Sequence, residues 1–145
     1  MHFFNPTSAG EILAEVVCLK EGACVKWTEV PQYDAVLVYD AGSEDVTALP
    51  ELYYVLRDLP SCPDYNKIVA SHRDGYLFLG IAQGGSLLLA NVFEAPDFTT
   101  AEYYIFLALK QLQLNPEVST ICMRSLVGPE EEMSLYRYFK AVDQL

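Results

Sequence analysis

Residues 66–94 read NKIVASHRDGYLFLGIAQGGSLLLANVFE. Three apolar runs, Asn66 to Arg73, Tyr76 to Ala82 and Ser86 to Glu94, are separated by Asp74-Gly75 and by Gln83-Gly84-Gly85-Ser86. Glycine accepts the positive φ of a tight hairpin turn without a steric penalty, so this punctuation predicts three consecutive antiparallel strands. In the second run Tyr76, Phe78 and Gly80 alternate with Leu77, Leu79 and Ile81. In the third, Leu87 and Leu89 alternate with Leu88, Ala90 and Val92. Side chains alternate across a strand, so both faces of this sheet are apolar and both are expected to be covered.

Downstream, Pro96 and Asp97 break the third strand, and Thr99 or Thr100 is placed to cap a helix reaching Leu114, closed by Asn115-Pro116. That helix is apolar almost all round, with Tyr103, Phe106 and Leu109 on sides distinct from Tyr104, Leu107 and Leu112, which predicts burial between layers. A fourth strand is expected from Val118 to Arg124. After Gly128-Pro129, a last helix is expected from Glu130 to about Val142, its three leading glutamates complementing the helix dipole rather than binding a metal. Three hairpin-linked strands, then helix, strand and helix, make an α/β fold: an actin-like or ribonuclease-H-like half-domain, a mixed sheet with helices on both faces.

Upstream, Thr7 or Ser8 can cap a helix from about Ala9 to Lys20, where Ile12, Leu13, Val16 and Val17 recur at helical spacing and Gly22 follows as a stop. Ala23 to Val30 reads as a short strand or an extended connection, and Asp34 to Asp40 as a buried strand. A second helix is expected from about Val46 to Leu59, with Pro50 in its first turn, and Pro60 to Asp64 ends it. The expected organisation is one domain over 1–145. Residues 1–65 form an N-terminal helix/strand/helix segment, and residues 66–145 form a ribonuclease-H-like core lacking a fifth strand, a position that Asp34 to Asp40 or a second copy of the chain is available to fill.

The chain has 145 residues, 52% of them hydrophobic and 20% charged, which suits a globular core of one domain. With 20 acidic and 9 basic residues the formal charge is −11, a field that repels phosphate backbones and anionic membranes. Neither nucleic acid nor membrane is therefore an expected partner, and Arg57, Lys67 and Arg73 are read as solubilising charges. Cys18, Cys24, Cys62 and Cys122 form no C-x-x-C pair and have no histidines at metal spacing, so no zinc site is expected; reduced thiols are the default reading, with a Cys18–Cys24 disulfide as the alternative. The start of the sequence lacks a signal-peptide pattern, and cytoplasmic residence is the expectation.

Lys67-Ile68-Val69-Ala70 with Arg73-Asp74-Gly75, the strand end Asn91-Val92-Phe93-Glu94-Ala95, and the helix holding Ala101-Glu102-Tyr103-Tyr104-Ile105-Phe106 and Lys110-Gln111-Leu112 carry a resemblance. Residues Asn66 to Leu145 resemble the C-terminal part of an uncharacterised Bacteroidetes family, the domain of unknown function 3822. Tyr33 to Leu59 is a looser match to the link between lobes. The resemblance implies a two-lobed actin-like ATPase fold, of which this chain is too short to hold the full first lobe.

Such folds carry chemistry in known places. A nucleotide site needs a D-x-G loop after the first strand, but Ser71 to Tyr76 holds an Asp-Gly that reads as a hairpin turn. A two-metal nuclease needs carboxylates converging from the first strand, first helix and fourth strand, whereas this first strand offers Lys67, Ser71, His72 and Arg73, the fourth ends at Arg124, and Glu102 stands alone. His72 beside Asp74 is read as a solvent-facing strand end, and Cys122 as a small buried hydrophobe. No catalytic, cofactor-binding or metal residue is assigned, and no cofactor is expected. The expected role is a non-catalytic interaction or scaffold module with a protein partner or a homodimer. Tyr103, Tyr136 and Tyr138 are its candidate interface, because tyrosine supplies amphipathic contact area at low entropic cost. The alternative is a nucleotide-binding protein that completes its cleft by dimerisation.

Overall fold

The computed structural model describes residues 25–33, 35–40 and 50–145. The expected helix over Ala9 to Lys20 and its caps lie outside the described residues. Strands β1 (Val25–Val30) and β2 (Ala35–Asp40) pair antiparallel as a ribbon of their own, with a short 3-10 turn over Pro31–Tyr33 between them. The segment expected to complete the main sheet is therefore engaged elsewhere. Helix α1 spans Glu51–Asp58, and Pro50 stands just outside it in extended geometry, its carbonyl accepting the Tyr53 N–H at 3.0 Å.

The main sheet has five strands: β3 (Asn66–Arg73), β4 (Tyr76–Gln83), β5 (Ser86–Glu94), β6 (Thr120–Met123) and β7 (Ala141–Gln144), in the order β5-β4-β3-β6-β7. The β3–β4 and β4–β5 pairs are antiparallel, and β3–β6 and β6–β7 are parallel. This is the mixed sheet expected of an actin-like half-domain, with one correction: the fifth strand is present. The last helix, α3 (Pro129–Tyr136), stops six residues early, and β7 follows. Leu135, Tyr138 and Val142 satisfy helical spacing, yet the Lys140 N–H is taken by the Ser119 carbonyl at 3.0 Å and Val142 pairs with Ile121. Pairing with β6 outweighs local helical preference here, since propensity is a weak prior against tertiary contacts.

Helix α2 (Phe98–Gln111) departs from expectation at both ends. Asp97, rather than a threonine, is its N-cap, its carboxylate accepting the Thr100 N–H at 2.7 Å. At its C-terminus the Leu114 N–H returns to the Leu109 carbonyl and the Gln113 N–H to that of Lys110, a Schellman closure with Gln113 at φ 59. With a glutamine in the position that glycine usually fills, the sequence marks the stop only at Asn115-Pro116, a few residues beyond the observed end. Asn115 then caps a 3-10 turn over Pro116–Val118, and β6 begins two residues later than expected.

The sheet separates two cores. On one face Ile68, Leu77, Leu79, Ile81, Ile121 and Met123 pack against Ala101, Ile105, Ala108 and Leu109 of α2 and Leu135 of α3, all fully or almost fully buried. Each buried leucine, isoleucine or methionine among them contributes about 1.5–3 kcal/mol. On the other face Val69, Ala82 and Cys122 meet Val55, Leu59 and Cys62, with Phe78 and Tyr33 at the margin. Gly80 lets α1 approach, because a Cβ there would lie 2.9 Å from Val55 Cγ1. The helix expected between two layers instead buries one face only, and Tyr103 on its outer side is 61% exposed. Cover is also incomplete at β5, where Leu88, Ala90 and Val92 are exposed.

Candidate functional site

The parallel strands β3 and β6 end side by side, and each chain end carries polar residues there. Side-chain alternation sends Ser71 and Arg73 of β3, and Arg124 just after β6, toward α1, while His72 goes to the α2 face. On α1, Glu51, Tyr54 and Asp58 stand at i, i+3 and i+7, one stripe of the helix. Arg124 runs beneath that stripe. Its Nε and Nη2 donate to the Glu51 carboxylate at 3.2 and 3.3 Å, its Nη1 donates to Asp58 at 2.5 Å, and its guanidinium sits 5.3 Å from the Tyr54 ring centroid. Glu51 also accepts from Ser71 Oγ at 2.6 Å and pairs with Arg73 Nε at 3.3 Å.

All three central groups are mostly shielded, so these are charge-assisted bonds in a partly desolvated setting. Burial pushes the Glu51 carboxyl up, but the Ser71 hydroxyl and the Arg124 guanidinium more than offset that and hold it below the usual carboxylate range. Burial would lower Arg124, and its two carboxylate partners raise it instead. The cation is fully committed inside the fold. Arg57 is engaged by its neighbour Asp58, and Lys67 donates to the Cys62 carbonyl, so with Arg73 on Glu51 the three scattered cations do not gather into a basic patch.

At this same sheet end, His72, Arg73, Asp74, Ser125 and Leu126 line an open cleft of about 460 Å³. His72 does not point to Asp74. Its Nε2 lies 2.8 Å from the Ala95 carbonyl, which only accepts, so Nε2 carries the proton, and the ring packs edge-on against Phe98. Ser125 Oγ accepts the His72 N–H at 2.9 Å. Asp74 and Gly75 have φ of 52° and 80° in a two-residue turn closed by the Arg73–Tyr76 pair, the hairpin that the sequence predicts. A two-residue turn has no run of free N–H groups to cradle a phosphate chain.

A smaller cavity of about 190 Å³ lies where α2 meets α3, lined by Phe98, Thr99, Glu102, Glu130, Glu131 and Ser134. Glu102, which stands alone in the sequence, is thus brought beside Glu131. One of its carboxylate oxygens accepts from Ser134 Oγ at 3.0 Å, the other is buried without a partner, and burial raises its affinity for a proton. Among the described residues, no three histidine, cysteine, aspartate or glutamate side chains are grouped so as to hold a metal ion.

The three tyrosines singled out from sequence are all exposed, but they do not form one cluster. Tyr103 lies on α2 against Tyr104, whose ring stacks on Phe93 of β5. Tyr138 packs on Phe106, 4.7 Å between centroids, and the Tyr136 hydroxyl reaches the Val142 carbonyl at 3.4 Å. Sequence reasoning missed two features: the Arg124 network, whose trace was the Glu51, Tyr54, Asp58 stripe, and the meeting of Cys62 with Cys122, which leaves no local signal.

Comparison with known proteins agrees with the fold. The model of a protein family of unknown function, DUF3822, matches residues 52–142. A crystal structure from Bacteroides thetaiotaomicron, described as a protein with actin-like ATPase fold and unknown function, superposes with a TM-score of 0.79 at 19% identity over 99% of this chain. This chain spans 62% of that protein's length. No curated protein matches. No helix among the described residues is long and apolar enough to cross a membrane.

Proposed function

The chain belongs to the DUF3822 family, and from that premise we propose that it works as a non-catalytic protein-interaction module of actin-like fold. Arg124 is the observation that carries this. At the sheet end where related chemistry needs converging carboxylates, the residue after β6 is a guanidinium, and the acids within reach, Glu51 and Asp58, are both paired with it, Arg73 adding a second positive charge on Glu51. The network ties α1 to the sheet and leaves no acid pair facing the cleft beside it.

The candidate contact area lies on the outer side of α2 and α3 and on the turn after α3, in separate exposed patches rather than one cluster. Tyr103 at 61%, Met133 at 65%, and Tyr136 and Tyr138 at 49% exposure offer amphipathic area on a rigid support. With −11 of formal charge, the partner is a protein with a basic or neutral face rather than a nucleic acid. A photo-crosslinking residue at Tyr103, Tyr136 or Tyr138 is expected to yield one discrete adduct in the native host, and one at Pro60 none. Calorimetry with magnesium-ATP is expected to give no binding heat. Micromolar ATP affinity together with a dimer in solution would overturn the module in favour of a nucleotide cleft shared by two copies.

A further inference from the structure

Cys62 and Cys122 lie sixty positions apart in sequence and meet in the α1-side core, Sγ to Sγ 3.2 Å. Cys122 is at the centre of β6, 1% exposed. Cys62 is 5% exposed and follows the 3-10 turn Leu59–Ser61 that continues α1. We propose that this pair is a modification site, a dithiol that closes reversibly to an intrachain disulfide and so links the turn after α1 to strand β6.

The two thiols differ in a way that suits exchange. Lys67 donates its ammonium to the Cys62 carbonyl, placing a positive charge beside that sulfur. The hydrogen bond with Cys122, helped by that charge, outweighs burial and lowers the Cys62 thiol below its ordinary value, while the same contact and burial raise Cys122. Cys62, beside an exposed turn, is the sulfur that an outside reagent meets first and so takes the nucleophile's role, and Cys122, inside β6, is the resolving thiol. Its approach side is the turn: Pro60, Ser61 and Pro63 are exposed, whereas β6 is covered on both faces.

The oxidant is a small disulfide, RSSR. The Cys62 thiolate attacks one of its sulfurs, forming a Cys62–SR mixed disulfide and expelling RS⁻, which takes up a proton. Cys122 then gives its proton to solvent and attacks Cys62 Sγ, forming the Cys62–Cys122 bond and releasing the second RS⁻. The sum is protein dithiol plus RSSR giving protein disulfide plus two RSH. Excess RSH reverses both steps.

The test uses the full chain in glutathione buffers poised from reducing to oxidising, quenched by alkylation and digested with trypsin. The expected species is the peptide Asp58–Lys67 joined to Gln111–Arg124, at their summed mass less two hydrogens, with a rise of several degrees in Tm. It should disappear on return to reduced glutathione, and in both Cys62→Ala and Cys122→Ala. The Cys62→Ala and Cys122→Ala peptides also distinguish the two roles, since only the Cys122→Ala chain should accumulate the mixed disulfide. Free, alkylated Cys62 and Cys122 throughout the oxidising range would overturn the proposal, as would glutathione retained on Cys62 in the natural chain. Should an alanine variant fail to fold, the linkage map of the natural chain decides alone.

Discussion

The two faces of the sheet are built on different physics. The α2/α3 face is broad and apolar, with β4 contributing Leu77, Leu79 and Ile81 to a continuous core. The α1 face has a handful of small buried side chains, and an eight-residue helix is fastened over them by one arginine and two carboxylates. Burial of apolar area is non-directional and sets overall stability, whereas the ion network fixes where α1 sits. The first face makes the fold, and the second positions a helix over the ends of β3 and β6.

The contrast can be broken most strongly from the apolar side. Ile105→Ala removes a fully buried side chain from the α2 core and is expected to cost about 2–5 kcal/mol in urea unfolding, depending on how far the cavity collapses. An unchanged midpoint would show that α2 is not the principal cover.

Arg124→Met tests the other face. It leaves Glu51 and Asp58 shielded without their counter-charge, for a loss of about 1–3 kcal/mol near neutral pH, discounted from a fully buried pair because the groups are partly wet. Acid sharpens the result. The Glu51 pKa is depressed in the fold, so its contribution is complete above the ordinary carboxyl value and is lost as pH falls through the folded value. The Met variant should therefore show a shallower fall in Tm over that acid range, and parallel curves for the two proteins would contradict the network's role.

How much of this was legible in the sequence follows from where the signals are local. The meander announces itself through Asp74-Gly75 and Gly84-Gly85, whose positive φ values at Asp74, Gly75 and Gly84 are a property of the turn itself. β7 does not, because Ala141 to Gln144 is a strand only by virtue of its neighbour β6. The Arg124 network and the cysteine pair are likewise invisible in a linear reading, joining positions 60 to 73 apart. Gly80 looks like a weak point in a strand until Val55 is placed over it.

That close seat supplies an intermediate perturbation. Gly80→Ala forces Val55, and with it α1, to give way, for about 1 kcal/mol at the lower end of overpacking costs. Circular dichroism should retain the sheet while the Tyr54 environment changes by fluorescence. An alanine variant as stable as the natural chain would mean that α1 rides loosely.

The smallest effect has the opposite sign. Glu102 has a raised pKa and a buried oxygen with no partner, so its ionised form disfavours the fold above its folded pKa and ceases to do so once protonated. Glu102→Gln is expected to stabilise slightly at neutral pH and to match the natural chain in acid. A Gln variant less stable at neutral pH would assign the carboxylate a binding role.

Because α1 is held by so few attachments, its amides should exchange with solvent through a sub-global opening that leaves β3, β4 and β6 protected. Native-state hydrogen exchange would then resolve two energetic layers in one small protein. The outer one would open the sheet end intermittently, and the rate of that breathing would govern how soon any reagent reaches the sulfur atoms beneath.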